Sequence, residues 1–198
     1  LKNEERIATI ILNRPKELNA LNEQLGEELI KALEDMKKDD EIRVIVITGE
    51  GRAFSAGADV NDLLESAQMN KESVLTRGLP EKGCSYLRKI DKPVIASING
   101  SAIGFGLALA LACDIRIASE SAILGLVFVR VGIPPGFGLT YFLPRLVGMD
   151  KACELALTSK VIDAWEAERI GLVSKVVLVE NLESVTHELA VTLSEAAP

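Results

Sequence analysis

The sequence predicts an α/β domain with largely parallel strand pairing. Short segments rich in Val and Ile recur along the chain, and they alternate with segments of helical periodicity. One uncharged run at residues 93–113, PVIASINGSAIGFGLALALAC, passes from a strand pattern through glycines into a buried helix. Strands that alternate with helices favour crossover connections and therefore parallel neighbours. At 198 residues and 48% hydrophobic content the chain can bury one full core, with or without a short appendage.

Taken in order, strands are expected at residues 6–12, 43–48, 93–98, 114–118 and 173–179, each short and β-branched. Residues 22–38 place Leu25, Leu29, Ala32, Leu33 and Met36 on one helical face, opposite Glu23, Glu27, Lys31 and Lys38. Further helices are expected at 60–69, 81–90, 139–147, 151–157 and 164–170. The polar, weakly periodic stretch 68–80, QMNKESVLTRGLP, reads as a surface loop. Residues 181–198 read as one amphipathic helix whose apolar face, Leu182, Val185, Leu189 and Leu193, needs a partner beyond what the chain fully supplies.

Several function classes are disfavoured. The run 93–113 approaches the length of a membrane span, but Pro93, Ser97, Asn99, Gly100, Ser101, Gly104 and Gly106 cut it into shorter pieces, so no membrane segment is expected. With 29 acidic against 22 basic residues the net charge is −7, and no basic stripe is present to neutralise a phosphate backbone, so nucleic acid is not an expected partner. The three cysteines, Cys84, Cys113 and Cys153, are far apart and the single histidine is His187, a pattern that assembles neither a zinc site nor a disulfide framework. A reducing, cytoplasmic setting is the expectation. The opening LKNEERIATI is charged and then strand-like, with no signal or transit pattern in view, and the numbering is compatible with a start inside a longer chain.

Three loops carry unusual backbone requirements: 13–21 (NRPKELNAL), 49–59 (GEGRAFSAGAD) and 99–106 (NGSAIGFG). Each follows an expected strand, and in open α/β folds ligands bind outside the carboxyl ends of strands. A helix start opened by Gly104 and Gly106 aims unpaired N–H groups and the positive end of the helix dipole outward, which suits an anion or a carbonyl oxygen that becomes one. Ser55, Ala56, Gly57 and Ala58 are small enough to let a ligand approach the main chain. Singly, each loop also fits an ordinary tight turn, and neither a dinucleotide fingerprint nor a P-loop is present.

In this order, together with CDIRIAS at 113–119 and VGIPPGFGLTYFLPRLVG at 131–148, the chain resembles the crotonase family, the enoyl-CoA hydratase/isomerase superfamily. The resemblance runs from RIATIILNRPKELNAL to AERIGLVSKVV at 167–177. It implies a spiral of β-β-α units and an acyl-CoA thioester as substrate, with no cofactor other than the coenzyme A of that thioester and no metal. It also implies an oxyanion hole of two backbone amides, which falls on Ala58 and Phe105. By the same resemblance Lys16, Leu18, Ala20, Ala56, Asp59 and Val60 line the adenine and pantetheine path, and Gly104, Phe128 and Pro135 complete the substrate site. Arg14 and Lys16 are candidates to meet phosphates. Residues 1–180 form the expected acyl-CoA-binding core, and 181–198 the beginning of a C-terminal helical segment that is otherwise mostly missing. The resemblance further implies a homotrimer, or a hexamer made as a dimer of trimers.

The carboxylates of the hydratase reaction are the point of departure. The family's two glutamate positions hold Ala108 and Phe128, and the alternative aspartate position holds Gly136. A positioned proton-transfer group contributes roughly 10²–10⁴-fold, so two-glutamate hydration is not expected. The replacement candidate is Asp59, for which capping the helix at 60–69 together with Asp62 is the simpler expectation. Tyr141, Ser101, Cys113, Glu65, Arg130 and His187 each have a plain packing or surface role as the simpler expectation. Double-bond isomerisation, another enolate-forming step, and acyl-CoA binding without turnover all stay open.

Overall fold

The computed structural model describes residues 2–4, 6–62 and 86–196. Strands β2 (Ile7–Leu12), β3 (Val44–Gly49), β5 (Val94–Ile98), β7 (Ile115–Ser119) and β10 (Lys175–Val177) form consecutive parallel neighbours of one six-stranded sheet. Its edge is β1 (Lys2–Glu4), antiparallel to β2. A second sheet holds β4 (Ala53–Ser55), β6 (Ser101–Ile103), β8 (Ile123–Gly125) and β9 (Val161–Asp163) in that order, the last antiparallel to β8. The chain alternates between them: β3 then β4, β5 then β6, β7 then β8. This is the spiral of strand pairs that the resemblance implies, and the α/β, largely parallel expectation agrees with it.

All five expected strands lie in the larger sheet, and the reason is burial on both faces. In β2, Ala8, Ile10 and Leu12 enter the main core while Ile7 enters a second cluster; in β3, Ile45 and Ile47 go one way and Val44 and Val46 the other. The result is the unbroken Val/Ile run that marks a strand. The smaller sheet differs from expectation: β4 and β6 occupy stretches read as loops, and at three residues each they are too short to show a period of two.

Helix α1 (Glu23–Lys38) packs against β2 through Leu25, Leu29, Leu33 and Met36, with Asn22 Oδ1 accepting the Leu25 N–H at 2.9 Å as its cap. Helix α2 (Phe105–Ala112) is buried on every side, which explains why FGLALALA carries no polar face. Its start presses on β4: a Cβ on Gly106 would sit 2.3 Å from the Ser55 carbonyl oxygen, so only glycine fits. Helices α3 (Leu139–Val147), α4 (Met149–Thr158) and α5 (Ala164–Arg169) follow near their expected positions. The expected helix at 60–69, the loop 68–80, Glu65 and Cys84 fall wholly or mostly outside the described residues, of which 60–62 open a helix, and the expected helix at 81–90 is described only over 86–90.

Helix α6 (Leu182–Glu195) corrects one expectation. Its buried row is Leu182, Thr186, Ala190 and Ser194, and it lies on the outer face of the large sheet over β3, β5 and β7. Ala190 joins Ile7, Val44, Val46 and Ile95 in the second cluster, with Leu189 and Leu193 at its margins. The partner for the apolar face is thus the sheet itself. Small side chains at 186, 190 and 194 let the helix come close, and the Ser97 and Thr186 hydroxyls bond each other at 3.1 Å in the contact.

That hydroxyl pair makes a measurable prediction. Thr186→Val leaves the buried Ser97 hydroxyl unpaired and should destabilise the fold by about 1–3 kcal/mol, whereas Ser97→Ala with Thr186→Val should recover much of the loss. A denaturant double-mutant cycle reads this, and simple additivity of the two single changes would refute it.

Candidate active site

The three loops singled out in the sequence meet at the carboxyl ends of β2, β3 and β5 and are bound to one another by hydrogen bonds. After β2 the chain makes a short 3-10 turn, Pro15–Glu17, and then places Leu18 and Asn19 in the left-handed region at φ 51° and 56°. Asparagine tolerates that conformation, and here it supplies contacts as well. Fully buried Asn19 accepts the Arg14 N–H at 2.8 Å and donates to the carbonyls of Glu50 at 2.9 Å and Ala53 at 2.8 Å. From the other side Asn99 accepts the Gly49 N–H at 3.1 Å and donates to Gly51 at 2.9 Å and Ala53 at 3.3 Å. The turn between β3 and β4 is therefore gripped by two amide side chains.

Beyond that turn, Leu18 O accepts from Ala56 N, Leu21 N donates to Gly57 O at 2.7 Å, and Leu21 O accepts from Asp59 N at 2.8 Å. These bonds make a parallel bridge between Leu21 and Ala58. In such a bridge the flanking residues bond the partner, so the N–H of Ala58 itself faces the opposite side. The Gly104–Phe105 peptide lies close to the adjoining Gly57: a Cβ built on Gly57 would be 3.6 Å from the Phe105 nitrogen, and one on Gly104 would be 4.0 Å from Gly57 Cα. Phe105 is the first residue of α2, where an N–H has no helical acceptor. Neither the Ala58 nor the Phe105 amide has a backbone acceptor among the described residues.

The surroundings of this amide pair are aromatic. A 3-10 turn, Phe128–Val131, holds Phe128 with its ring tip 3.9 Å from the Cβ position of Gly104. Phe137 packs edge-on against Phe105 with ring centroids 5.6 Å apart, and tilted against Phe128 at 6.0 Å. Ala108 is wholly buried within α2. Gly136 adjoins this wall in the loop before α3, where a Cβ would meet nothing within 4 Å, and Pro135 is half-buried beside it.

Asp59 is already engaged. Its Oδ2 pairs with the Arg14 guanidinium at 2.9 Å, and its Oδ1 accepts the Asn61 N–H at the start of the helix that opens at Val60. Arg14 also donates to the Ala20 carbonyl at 2.6 Å, so this guanidinium is turned inward to hold two loops together. Lys16 is exposed on the 3-10 turn, Leu18 and Ala56 are half-buried, Ala20 is buried and Val60 is exposed. These positions border the joined loops.

The other named residues lie elsewhere or do other work. Cys113 is buried with its thiol toward the Leu109 carbonyl at 3.3 Å, Tyr141 is exposed beneath the Arg145 guanidinium, and Arg130 donates to the Ser159 carbonyl at 2.7 Å. Ser101 is half-buried in β6, and His187 lines a cavity of about 800 Å³ between α6 and the outer face of the large sheet. Among the described residues there is no group of three or more His, Cys, Asp or Glu able to hold a metal, and no helix is long and apolar enough to cross a membrane. Sequence reasoning missed Asn19, Asn99 and Phe137. The LNAL string in the first loop and the glycines on either side of Phe137 were the available signals.

Comparison with known proteins gives a consistent result. The family model described as enoyl-CoA hydratase/isomerase matches residues 2–198. A short-chain-enoyl-CoA hydratase of Clostridium acetobutylicum is 41% identical over 199 residues, covering 100% of this chain and 76% of the relative. A crotonyl-CoA hydratase of Syntrophomonas wolfei is 41% identical over 208 residues, covering 100% and 79%. Among solved structures, an enoyl-CoA hydratase from Bacillus anthracis superposes with a TM-score of 0.88 at 42% identity, over 98% of this chain and 74% of that one. A monofunctional enoyl CoA isomerase from M. smegmatis superposes with a TM-score of 0.83 at 36% identity, over 96% and 81%. With its two-sheet spiral, its joined loops and matches of this extent, the chain belongs to the enoyl-CoA hydratase/isomerase family of acyl-CoA enzymes.

Proposed function

We propose that the chain binds a coenzyme A thioester with its carbonyl oxygen between the amides of Ala58 and Phe105, and stabilises the enolate that forms when the α-proton leaves. The observation that supports this reading is that two amides without a backbone acceptor among the described residues belong to neighbouring segments, one at a β-bridge and one at a helix start. The effect is differential: the pair holds a neutral carbonyl weakly and an enolate oxygen strongly, worth about 3–4 kcal/mol per donor in related acyl chemistry. Because the donors belong to the main chain, a phenylalanine at 105 serves as well as a glycine.

The reaction of this class that best suits the site consumes no water. In double-bond isomerisation the proton lost from the α-carbon of a 3-enoyl thioester passes to water or to the substrate itself as carrier and one is returned at the γ-carbon, giving the 2-enoyl product with no change in composition and no water consumed. Hydration needs a water activated by carboxylates, and the positions for them hold Ala108, Phe128 and Gly136, with aromatic rings beside the amide pair. Relatives named as hydratases make hydration the natural comparison. A second reading, acyl-CoA binding without turnover, is favoured by Asp59, whose two oxygens are taken by Arg14 and Asn61. Assembly as a homotrimer, or as a dimer of trimers, belongs to the same proposal, and exposed Val131, Met149, Leu157 and Trp165 supply apolar surface for it.

The first test is α-proton exchange in deuterated water with butyryl-CoA, read by NMR, alongside loss of conjugated absorbance with a short 2-enoyl-CoA. Exchange above the uncatalysed rate with no hydration is expected. Binding without exchange would favour the silent reading, and efficient hydration would overturn the isomerisation reading.

A proline at the first helical position deletes only the N–H that would be orphaned anyway. Phe105→Pro should therefore lower the exchange rate by about 10²–10³-fold, whereas Phe105→Ala, which keeps the amide, should retain most of it. Equal losses in both variants would mean that the ring, not the amide, matters.

Asp59→Asn preserves an oxygen for the helix cap while removing the charge opposite Arg14. If Asp59 only positions the loops, exchange should fall by no more than a few-fold. A drop of 10²-fold or greater, with an altered pH profile, would make Asp59 the acid/base.

A further inference from the structure

The backbone of Phe137 is left-handed at φ 58°, in a turn where both neighbours are glycine. A bulky side chain is disfavoured in that region, and such positions persist where the surroundings hold them and a site uses them. Glycine would adopt this conformation freely, and Phe137 is only half-buried, so full burial of the ring is not what secures it. What the ring does is fill the space between Phe105 and Phe128, at 5.6 Å and 6.0 Å, closing an aromatic wall whose far end, Phe128 Cζ, stands 3.9 Å from the Cβ position of Gly104. Gly104 supplies the carbonyl half of the peptide whose N–H faces the proposed thioester oxygen. On the thioester reading, an acyl chain on the carbonyl carbon held there would run toward this wall.

We infer that Phe137 is the residue that sets acyl-chain length: its ring, held by a strained backbone across Phe105 and Phe128, admits short acyl groups and turns away longer ones. This rests on the thioester reading above. Removing the ring by Phe137→Gly relieves the backbone strain while it opens the wall, so loss of selectivity need not bring loss of fold. Phe137→Ala removes the same ring but keeps a Cβ in the left-handed conformation, and is expected to melt at a lower temperature than the glycine variant.

The test is calorimetric titration of the intact chain with free CoA, butyryl-CoA and decanoyl-CoA, saturated thioesters that report binding alone. The wild type should bind butyryl-CoA at least tenfold more tightly than decanoyl-CoA. Phe137→Gly should bring the two within about threefold when each is referred to free CoA, a readout that a merely structural role would not move. If Phe137→Gly does not fold, Phe137→Leu should give an intermediate ratio. An unchanged ratio in a folded variant, or no chain-length preference in the wild type despite saturable binding, overturns the inference and leaves the thioester reading standing. Failure of the wild type to bind CoA or either thioester overturns both.

Discussion

The carbonyl oxygen of Ala53 receives hydrogen bonds from two asparagines that approach from different loops, Asn19 after β2 and Asn99 after β5. The arrangement of the site depends on that junction. Between β3 and β4 the chain must leave the large sheet and enter the small one, and in doing so it takes the Ala53 carbonyl into the buried interior while those of Glu50 and Gly51 stay nearer the surface. A buried carbonyl such as that of Ala53 would be costly to leave unpaired. The asparagines satisfy all three carbonyls, and the Arg14–Asp59 pair extends the same grip to the start of the next helix. With the turn so held, the segment of Gly57 and Ala58 is kept beside the Gly104–Phe105 peptide. The geometry of the amide pair is inherited from polar groups that never touch it.

The sheet supplies the platform on which this junction rests. Strands β2, β3 and β5 lie under α6 on one face, and on the other they enter the main core, with α1 against β2 and β4 against β3 and β5, so their ends are fixed relative to one another. Loops anchored at those ends inherit the rigidity of the core, whereas the aromatic wall is built from segments that lie further along the chain, at 128–131 and in the turn before α3. The molecule thus divides the work between a main-chain framework tied to the sheet and a set of side chains brought in from the periphery.

That division also explains what could be read from the residues alone. Strands buried on both faces appear as Val/Ile runs, α2 appears as an uncharged stretch with no polar face, and Leu139–Val147 carries its period plainly. The smaller sheet was invisible because a strand of three residues, AFS or SAI, has no period to detect. The candidate amides at Ala58 and Phe105 came from the order of the loops and from the family resemblance. Asn19 and Asn99 did not, because hydrogen bonds that reach across more than thirty residues leave no local pattern. At Arg14 the residues suggest a phosphate contact or a solvated loop charge, since sequence does not reveal that the guanidinium turns back toward Ala20 and Asp59. Phe137 escaped for the same reason: a positive φ at a non-glycine residue is a property of the folded turn.

The double coverage of the large sheet has a further consequence for how the molecule opens. Exchange of a buried amide with solvent requires a local or global unfolding event, and for β3 and β5 any such event must shed α6 from one face or open the main core on the other. Residues Ser97 and Asn99 of the same segment belong one to the α6 contact and one to the loop junction, so peeling of that helix and loosening of the loops draw on a common strand. The central strands and the residues beside the amide pair should therefore act as one cooperative unit, while β1 and β10 at the sheet edges fray first. A framework of this kind has little freedom to adjust itself around different ligands by partial opening. Whatever diversity of substrate the scaffold accepts has to come from side chains mounted on its rim.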